Sequence, residues 1–241
     1  MNNQFTTILG GIKQVTEQDL VDIYLPTHDK SVKFKKITVR QQKDIVKTAM
    51  DKVSPGLLLH QALNEILATN LVDATVQLST ADRFYTLVAL RAASIGDTYQ
   101  EKVSLTEMLK KKIHIPATEL QHTVKEGVVT VECKVPSLSY DSQITADCIE
   151  KIQDANLVGA FGDVFIGEVI KYVDSLTVNS ATIKLAECTF TQKYQLIESL
   201  PASINNQVLV FANKVKAAET KFCTVNDVAV NVNIDQAFFT T

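Results

Sequence analysis

Glycines, cysteines and histidines are the residues of this 241-residue chain whose spacing could support nucleotide binding, metal coordination or catalysis. Gly159, Gly162 and Gly167 fit neither the dinucleotide fingerprint nor the P-loop pattern, and no Lys-Ser or Lys-Thr pair follows them. We therefore expect a loop leading into a helix there. The four cysteines are 15, 40 and 35 residues apart and form no C-x-x-C pair. This spacing predicts reduced, structural thiols.

The histidines and carboxylates are equally scattered. None of the four histidines has a cysteine or an acidic residue at a recognisable catalytic spacing; they are His28, His60, His114 and His122. His114 and His122 could meet across Pro116, but no third or fourth metal ligand can be named. Carboxylates occur singly, and there is no G-x-S-x-G motif. The sequence therefore predicts a non-enzymatic protein without cofactor or metal, in a binding or structural role.

A basic stretch is the first candidate for a binding site. Residues Lys30–Lys47 hold seven basic side chains against one acid, Asp44. The candidate partner-binding residues are Lys33, Lys35, Lys36 and Arg40. A solvated face and a docking face for an acidic protein surface both remain open. A nucleic-acid site is disfavoured, because only Phe34 is interleaved as a stacking platform and the whole chain has a net charge of −3.

The C-terminus is the second candidate, because Phe238 and Phe239 lie within four residues of the end of the sequence. A terminus is usually frayed and polar, so two large rings should be buried either in a partner or in the chain's own core. The sequence leaves both alternatives open, and we count both rings among the candidate partner-binding residues.

The composition is that of an ordinary globular protein. Apolar residues make up 46% and charged residues 21%, while Gly and Pro together number only 13, which excludes disordered, collagen-like and low-complexity chains. No apolar run approaches the roughly 18 residues of a membrane span, so we expect no membrane partner and an unexported chain. Charge is uneven, at +2 over residues 1–120 and −5 over residues 121–241.

Apolar periodicity predicts the elements that position these residues. Alternation predicts a β-hairpin over Val21–Phe34 and a second over residues 120–135. Alternation is strongest at Val228–Ile234, which should form a final hairpin across Asn226 and Asp227. Helical spacing occurs in seven stretches, at residues 45–53, 59–71, 84–95, 144–152, 160–173, 192–200 and 204–215. The third of these begins at a capping box formed by Ser79 and Asp82.

These elements predict an α+β fold of helical, bundle-like lobes with small antiparallel β-hairpins, because strands and helices come in runs and do not alternate as βαβ units. Residues 1–17 show no sustained period, and Gly10-Gly11 interrupts them, so we expect a flexible or partner-dependent arm. An N-terminal lobe of residues 18–115, with a hairpin and helices, should follow. Residues 116–241 should form a C-terminal lobe with a hairpin, helices and the final hairpin.

Four segments share a recognisable layout: Tyr24-Leu25-Pro26 with Val32–Val39 running into a helix, Leu78–Phe84, Ile197–Pro201 before a helix, and Asp235–Phe239 after the final strand. Together they resemble the base-plate protein family of T-even-type contractile-tailed bacteriophages. The resemblance is one of layout over residues 20–240.

The resemblance implies a hub-associated base-plate protein without catalytic residues, which binds other tail proteins; self-association stays open. It also implies a location in the virion tail, or in the host cytoplasm during assembly. A transient chaperone of hub assembly, absent from the virion, is the alternative within the family. A basic-faced nucleic-acid adaptor is the alternative from a different class.

Overall fold

The computed structural model describes residues 2–48, 50–51, 54–100, 103–153 and 157–239. This part of the chain contains nine α-helices and ten short strands, and the strands form four antiparallel sheets. The α+β fold expected from the sequence is confirmed.

The helices are α1 (Asn2–Gln18), α2 (Val39–Thr48), α3 (Pro55–Asn70), α4 (Thr80–Ser94), α5 (Leu105–Leu109), α6 (Leu138–Gln153), α7 (Leu157–Tyr172), α8 (Phe190–Glu198) and α9 (Ala202–Glu219). The strands are β1 (Leu20–Leu25), β2 (Lys30–Lys35), β3 (Thr98–Tyr99), β4 (Val103–Ser104), β5 (Gln121–Glu126), β6 (Val129–Lys134), β7 (Val173–Val178), β8 (Ala181–Lys184), β9 (Thr224–Val225) and β10 (Val228–Ala229). The predicted helix at 45–53 is displaced towards the N-terminus as α2, and its residues 49, 52 and 53 lie outside the described ones.

The β1–β2 hairpin forms as predicted and anchors the first half of the chain. Ile23 pairs with Val32 across the ladder, and both side chains are buried on the face that meets α4. Asp29 occupies the turn at φ 50° and accepts a hydrogen bond of 2.8 Å from the Tyr24 hydroxyl. Aspartate tolerates this left-handed conformation better than most residues, which explains why the turn falls here.

The capping box predicted at the start of α4 is present and also has a tertiary role. The Ser79 amide donates to Asp82 Oδ2 at 3.1 Å. The amide and hydroxyl of Thr27 donate to the same carboxylate at 2.9 and 2.7 Å. One aspartate therefore caps α4 and holds the hairpin turn against it.

The second predicted hairpin, β5–β6, is half of a four-stranded sheet in the order β5-β6-β7-β8. Leu176 of β7 pairs with Val131 on one side and with Ile183 of β8 on the other. The sequence gives no separate signal for β7, because this strand begins directly after α7 without an intervening turn residue. The predicted helix at 160–173 therefore extends one residue too far, and β8 follows as the second pairing partner of β7.

Residues 2–18 form a helix, although the sequence shows no sustained period there; the expectation of a flexible or partner-dependent arm stays a prediction, and Met1 lies outside the described residues. Phe5, Ile8, Leu9 and Val15 recur at helical spacing, which the Gly10-Gly11 interruption obscures in the sequence. Glycine in a helix costs only about 1 kcal/mol relative to alanine, so two glycines weaken the helix without ending it. α1 packs on β2 but leaves most of its apolar residues exposed.

The final hairpin is much shorter than predicted. Asn226 and Asp227 form its turn at φ 49° and 61°, as expected, but β10 ends at Ala229. The Val230 amide still donates to the Cys223 carbonyl at 2.9 Å, after which the chain leaves the ladder. Val232 is buried because it contributes to the core, and not because it lies in a sheet. Alternation here reflects one-sided burial of an extended segment.

Two clusters of buried side chains hold the chain together. The first lies between β1, β2 and helices α2–α5, and the second between the β5–β8 sheet and helices α6–α9. The last segment returns to the first cluster, to which it contributes Phe222, Val232, Phe238 and Phe239. The division into lobes at residues 115 and 116 stays a prediction.

Candidate partner-binding surface

The basic face, defined as Lys33, Lys35, Lys36 and Arg40, lies along β2 and the start of α2. In β2, Val32 and Phe34 point into the core, so strand alternation sends Lys33 and Lys35 to the opposite side. Thr38 caps α2, because its amide donates to Gln41 Oε1 at 2.9 Å and its hydroxyl accepts from the Gln41 amide at 3.3 Å. This cap places Arg40 in the first turn of the helix.

The structure brings three of these four residues together. Lys35, Lys36 and Arg40 line a groove of about 400 Å³ between β2, α2 and α3, and Asp44 and Glu65 lie in the same lining. Lys33 is on the same strand but outside that lining. The groove is therefore basic along one side and carries two acidic residues among its other walls.

Acidic residues outside the basic stretch form ion pairs with two of its lysines. Lys33 Nζ lies 3.2 Å from Asp22 Oδ1 in the neighbouring strand, and Lys36 Nζ lies 2.8 Å from Asp19 Oδ2. The Lys33 pair is exposed and the Lys36 pair is about half-exposed, and solvent-accessible ion pairs contribute only about 0–1 kcal/mol. An acidic partner could therefore displace either aspartate at little cost. The basic stretch alone does not indicate these pairings, because both aspartates precede Lys30 in the sequence.

Phe238 and Phe239 do not form part of a surface. Their side chains are 1% and 0% exposed, and their rings meet edge to face with centroids 5.0 Å apart. Arg91 Nε donates to the Phe238 carbonyl at 2.8 Å, and Gln42 Nε2 of α2 donates to the Phe239 carbonyl at 2.9 Å. Both rings therefore lie in the chain's own core, which is one of the two alternatives that the sequence leaves open. Their assignment as partner-binding residues stays a prediction.

A buried polar cluster, which the sequence did not indicate, joins the two halves of the chain. Asp141 of α6 is at its centre, and its side chain is 3% exposed. Its Oδ2 lies 2.7 Å from His60 Nε2, accepts from Asn64 Nδ2 at 2.6 Å, and accepts from Arg83 Nη1 at 3.0 Å. Its Oδ1 lies 3.1 Å from Lys171 Nζ of α7. No local pattern could reveal this cluster, because its members come from four separate helices.

The electrostatics of the cluster are those of a structural ion network. Burial alone would raise the pKa of Asp141, but the hydrogen bond to His60 and the charges of Lys171 and Arg83 hold it well below its usual range. Burial lowers the pKa of His60. Burial also lowers that of Lys171, but Glu168 and Asp141 outweigh the effect, so its pKa is raised. Asp141 is enclosed and engaged at both oxygens, so the arrangement suits support of the fold and not attack on a reactant.

The other residues considered for chemistry have separate structural roles. His28 Nε2 lies 3.0 Å from the Gln77 carbonyl, His114 Nδ1 lies 3.1 Å from the Pro26 carbonyl, and the ring of His122 stacks on Phe211. Within the described ranges, no group of three or more His, Cys, Asp or Glu side chains is placed to hold a metal ion.

The cysteines and the glycine cluster are likewise structural in their placement. All four cysteines are free thiols, and burial raises the pKa of Cys133 and Cys223 to about 12 and that of Cys148 to about 11. The cluster from Gly159 to Gly167 lies within α7, and not in a loop before a helix as expected. α7 packs against α6 at Gly167, where Cys148 Sγ occupies the space that a larger side chain would need.

None of the helices in the described part of the chain combines the length and apolarity required to cross a bilayer.

Comparison with known proteins identifies the family. Residues 18–233 match the family described as T4 bacteriophage base plate protein. The matched region extends from β1 to the segment after β10. No curated protein and no solved structure matched the chain significantly. The family match covers most of the chain and agrees with the resemblance in layout. The chain therefore belongs to the T4 bacteriophage base plate protein family and is a structural protein of the phage tail that interacts with other tail proteins.

Proposed function

We propose that this protein acts at the hub of the base plate, without enzymatic activity, and binds other tail proteins through the basic face. The observation that carries the proposal is the groove in which Lys35, Lys36 and Arg40 converge from β2 and α2. Three cations on one side of a groove favour an acidic segment of another protein. Assignment to the hub rests on the resemblance in layout, while the family supports the base plate in general.

The elements that carry the basic face are fixed by contacts with the rest of the fold, which favours a docking role over a merely solvated surface. Val32 and Phe34 anchor β2 in the core, and Gln42 ties α2 to the C-terminal segment through the Phe239 carbonyl. Gln41 Nε2 donates to Asn70 Oδ1 at 2.7 Å and so links α2 to α3. A surface held by three elements loses little conformational entropy on binding, which is a general route to affinity.

Charge reversal tests the proposal. Lys33, Lys35, Lys36 and Arg40 are all changed to Glu, and binding of the purified protein to base-plate intermediates from an infection lacking this chain is measured by co-sedimentation. We expect binding to fall at least about 100-fold, because each reversed cation repels an acidic partner. The matched control reverses four exposed lysines elsewhere, Lys125, Lys134, Lys184 and Lys214, with the same change in net charge.

Two outcomes would reject the proposal. Equal binding of the basic-face variant and the wild type would show that the basic face is only solvated. Equal loss in both charge-reversed variants would show a response to net charge and not to a surface. Tight, salt-sensitive binding of wild type to DNA or RNA would instead favour a nucleic-acid adaptor.

The role at the hub is either permanent or transient. Mass spectrometry of purified virions distinguishes the two, because a subunit remains in the particle and an assembly chaperone does not. Complete tails assembled by a phage that lacks this gene, together with hubs that never contain the protein, would contradict both roles.

A further inference from the structure

α1 carries an apolar face that the protein does not cover. Phe5, Ile8, Leu9 and Val15 are between 40% and 68% exposed, although they lie on one side of a 17-residue helix. Ile12, on the same side, is 58% exposed. We call Phe5, Ile8, Leu9 and Val15 the apolar stripe. Surfaces of monomeric proteins rarely expose contiguous apolar patches unless the patch is a binding site.

The low intrinsic stability of α1 also indicates that its apolar face binds a partner. Gly10 and Gly11 both lie in its middle, and each glycine weakens a helix by about 1 kcal/mol relative to alanine. A helix of this length is marginal in water unless it packs an amphipathic face against something else. The stripe is the face with which such packing would occur, and in the free protein it meets solvent.

The neighbourhood of α1 indicates the chemistry of its partner. α1 packs on β2, which carries Lys33 and Lys35, and it leads directly to Asp19, the ion-pair partner of Lys36. The Asp19 amide donates to the Val15 carbonyl at 3.0 Å, so the helix end and the basic face are joined without a linker. A partner seated on the stripe would therefore also meet these lysines.

A second copy of the chain fits this neighbourhood poorly. Parallel pairing of two α1 helices would place the lysines beside Asp19 next to the same lysines of the other copy, where like charges repel. Antiparallel pairing would use α1 alone, a face about 25 Å long. One helix face of that size falls well short of the roughly 800 Å² per partner that stable interfaces bury.

We propose that α1 docks through the apolar stripe into a hydrophobic groove with an acidic rim on another tail protein. This inference rests on the proposed function and extends it, because it adds an anchoring helix and specifies the partner's surface. α1 ends where the family match begins, so most of this helix precedes the residues that the family model matches.

The test uses the full-length protein and the same base-plate intermediates as probe. In the stripe variant, Ile8 and Leu9 are both changed to Gln, which removes apolar area while keeping a good helix former. We expect its affinity for the intermediates to fall at least about 30-fold, since anchor residues each contribute more than a factor of five. Val210→Gln is the matched control, because Val210 is an exposed apolar residue on α9. Circular dichroism verifies that the variants keep their helices.

Each outcome bears on the inference separately from the proposed function. Wild-type affinity of the stripe variant, with loss in the basic-face variant, would overturn the docking of α1 and leave the proposed function standing. Loss of binding in the stripe variant, with wild-type binding in the basic-face variant, would contradict an acidic rim on the partner. No binding of wild type to the intermediates would overturn both.

Two further measurements exclude other occupants. A wild-type dimer at micromolar concentration in sedimentation velocity, with a monomeric stripe variant, would assign the stripe to a second copy and refute the inference. Stripe-dependent binding to vesicles of phosphatidylethanolamine and phosphatidylglycerol would assign it to a membrane surface and would refute it as well. We expect a monomer and no vesicle binding.

Discussion

Neutralising Asp141 should unfold this protein far more readily than neutralising an exposed aspartate. Asp141→Asn keeps the size of the side chain but removes the charge that faces Arg83 and Lys171 in a nearly water-free site. Glu168 still lies 3.0 Å from Lys171 Nζ, so one cation keeps an acidic neighbour while Arg83 loses its carboxylate. Removing one partner of a buried ion pair typically costs about 3–5 kcal/mol.

The assay is equilibrium unfolding in urea at neutral pH, with thermal unfolding as a second measure. For a chain of this size, a loss of about 3–5 kcal/mol corresponds to a fall in Tm of about 6–20 °C. Asp22→Asn is the matched control, since its pair with Lys33 is exposed and should contribute no more than about 1 kcal/mol.

The pH dependence follows from the lowered pKa of Asp141. A carboxylate whose folded pKa lies below its unfolded value stabilises the fold above the unfolded value and loses that contribution as the pH falls towards the folded one. The wild type should therefore lose stability below about pH 4, and Asp141→Asn should lose less over that range. Equal stabilities of the Asp141 and Asp22 variants at neutral pH would refute the view that the cluster holds the two cores together.

Two further predictions concern other buried groups. Burial raises the pKa of Glu219 to about 7, so the stability that this group contributes is fully present below its unfolded pKa and is lost as the pH rises through 7. Glu219→Gln should therefore nearly match wild type in urea unfolding at pH 4 and exceed it by up to about 3 kcal/mol at pH 8, because a pKa raised from 4.5 to about 7 corresponds to about 1.4 kcal/mol for each unit. A difference that is the same at both pH values would contradict this. Phe238→Ala should lower the free energy of unfolding by about 3–5 kcal/mol, because the ring is enclosed by Tyr99, Phe239 and Arg91. Val228→Ala is the control, because Val228 is 67% exposed on the same segment, and it should change the free energy of unfolding by less than about 0.5 kcal/mol. Similar losses in both variants would argue against burial of the C-terminal rings.

Elements that depend on neighbouring residues were predictable. The β1–β2 hairpin follows from alternation and from an aspartate at the turn, and α4 follows from the Ser79–Asp82 capping box. These signals are local, because hydrogen bonds within a turn or a cap join residues three to five apart. The basic face was also predictable, since all four of its residues lie within eight positions of the sequence.

Elements defined by distant partners were not predictable. β7 is a strand because β6 and β8 lie on either side of it, whereas its own six residues carry no turn signal. The strong alternation at Val228–Ile234 has no partner strand beyond Ala229, so the same pattern yields an extended segment. Strand pairing is a tertiary property, and alternation only reports which face is buried.

Local patterns in the sequence account for helices α2–α4 and α6–α9, the β1–β2 and β5–β6 hairpins, the surplus of positive charge on β2 and α2, and the family layout that points to the base plate. The tertiary structure alone decided that Phe238 and Phe239 are core residues, that Asp141 joins four helices, and that the apolar face of α1 meets solvent. The physical reason is that burial and ion pairing depend on which surfaces meet after the chain has folded. His60 and Arg83 both contact the Asp141 carboxylate, although each lies more than 50 positions from Asp141 in sequence. No local spacing of residues can predict such contacts.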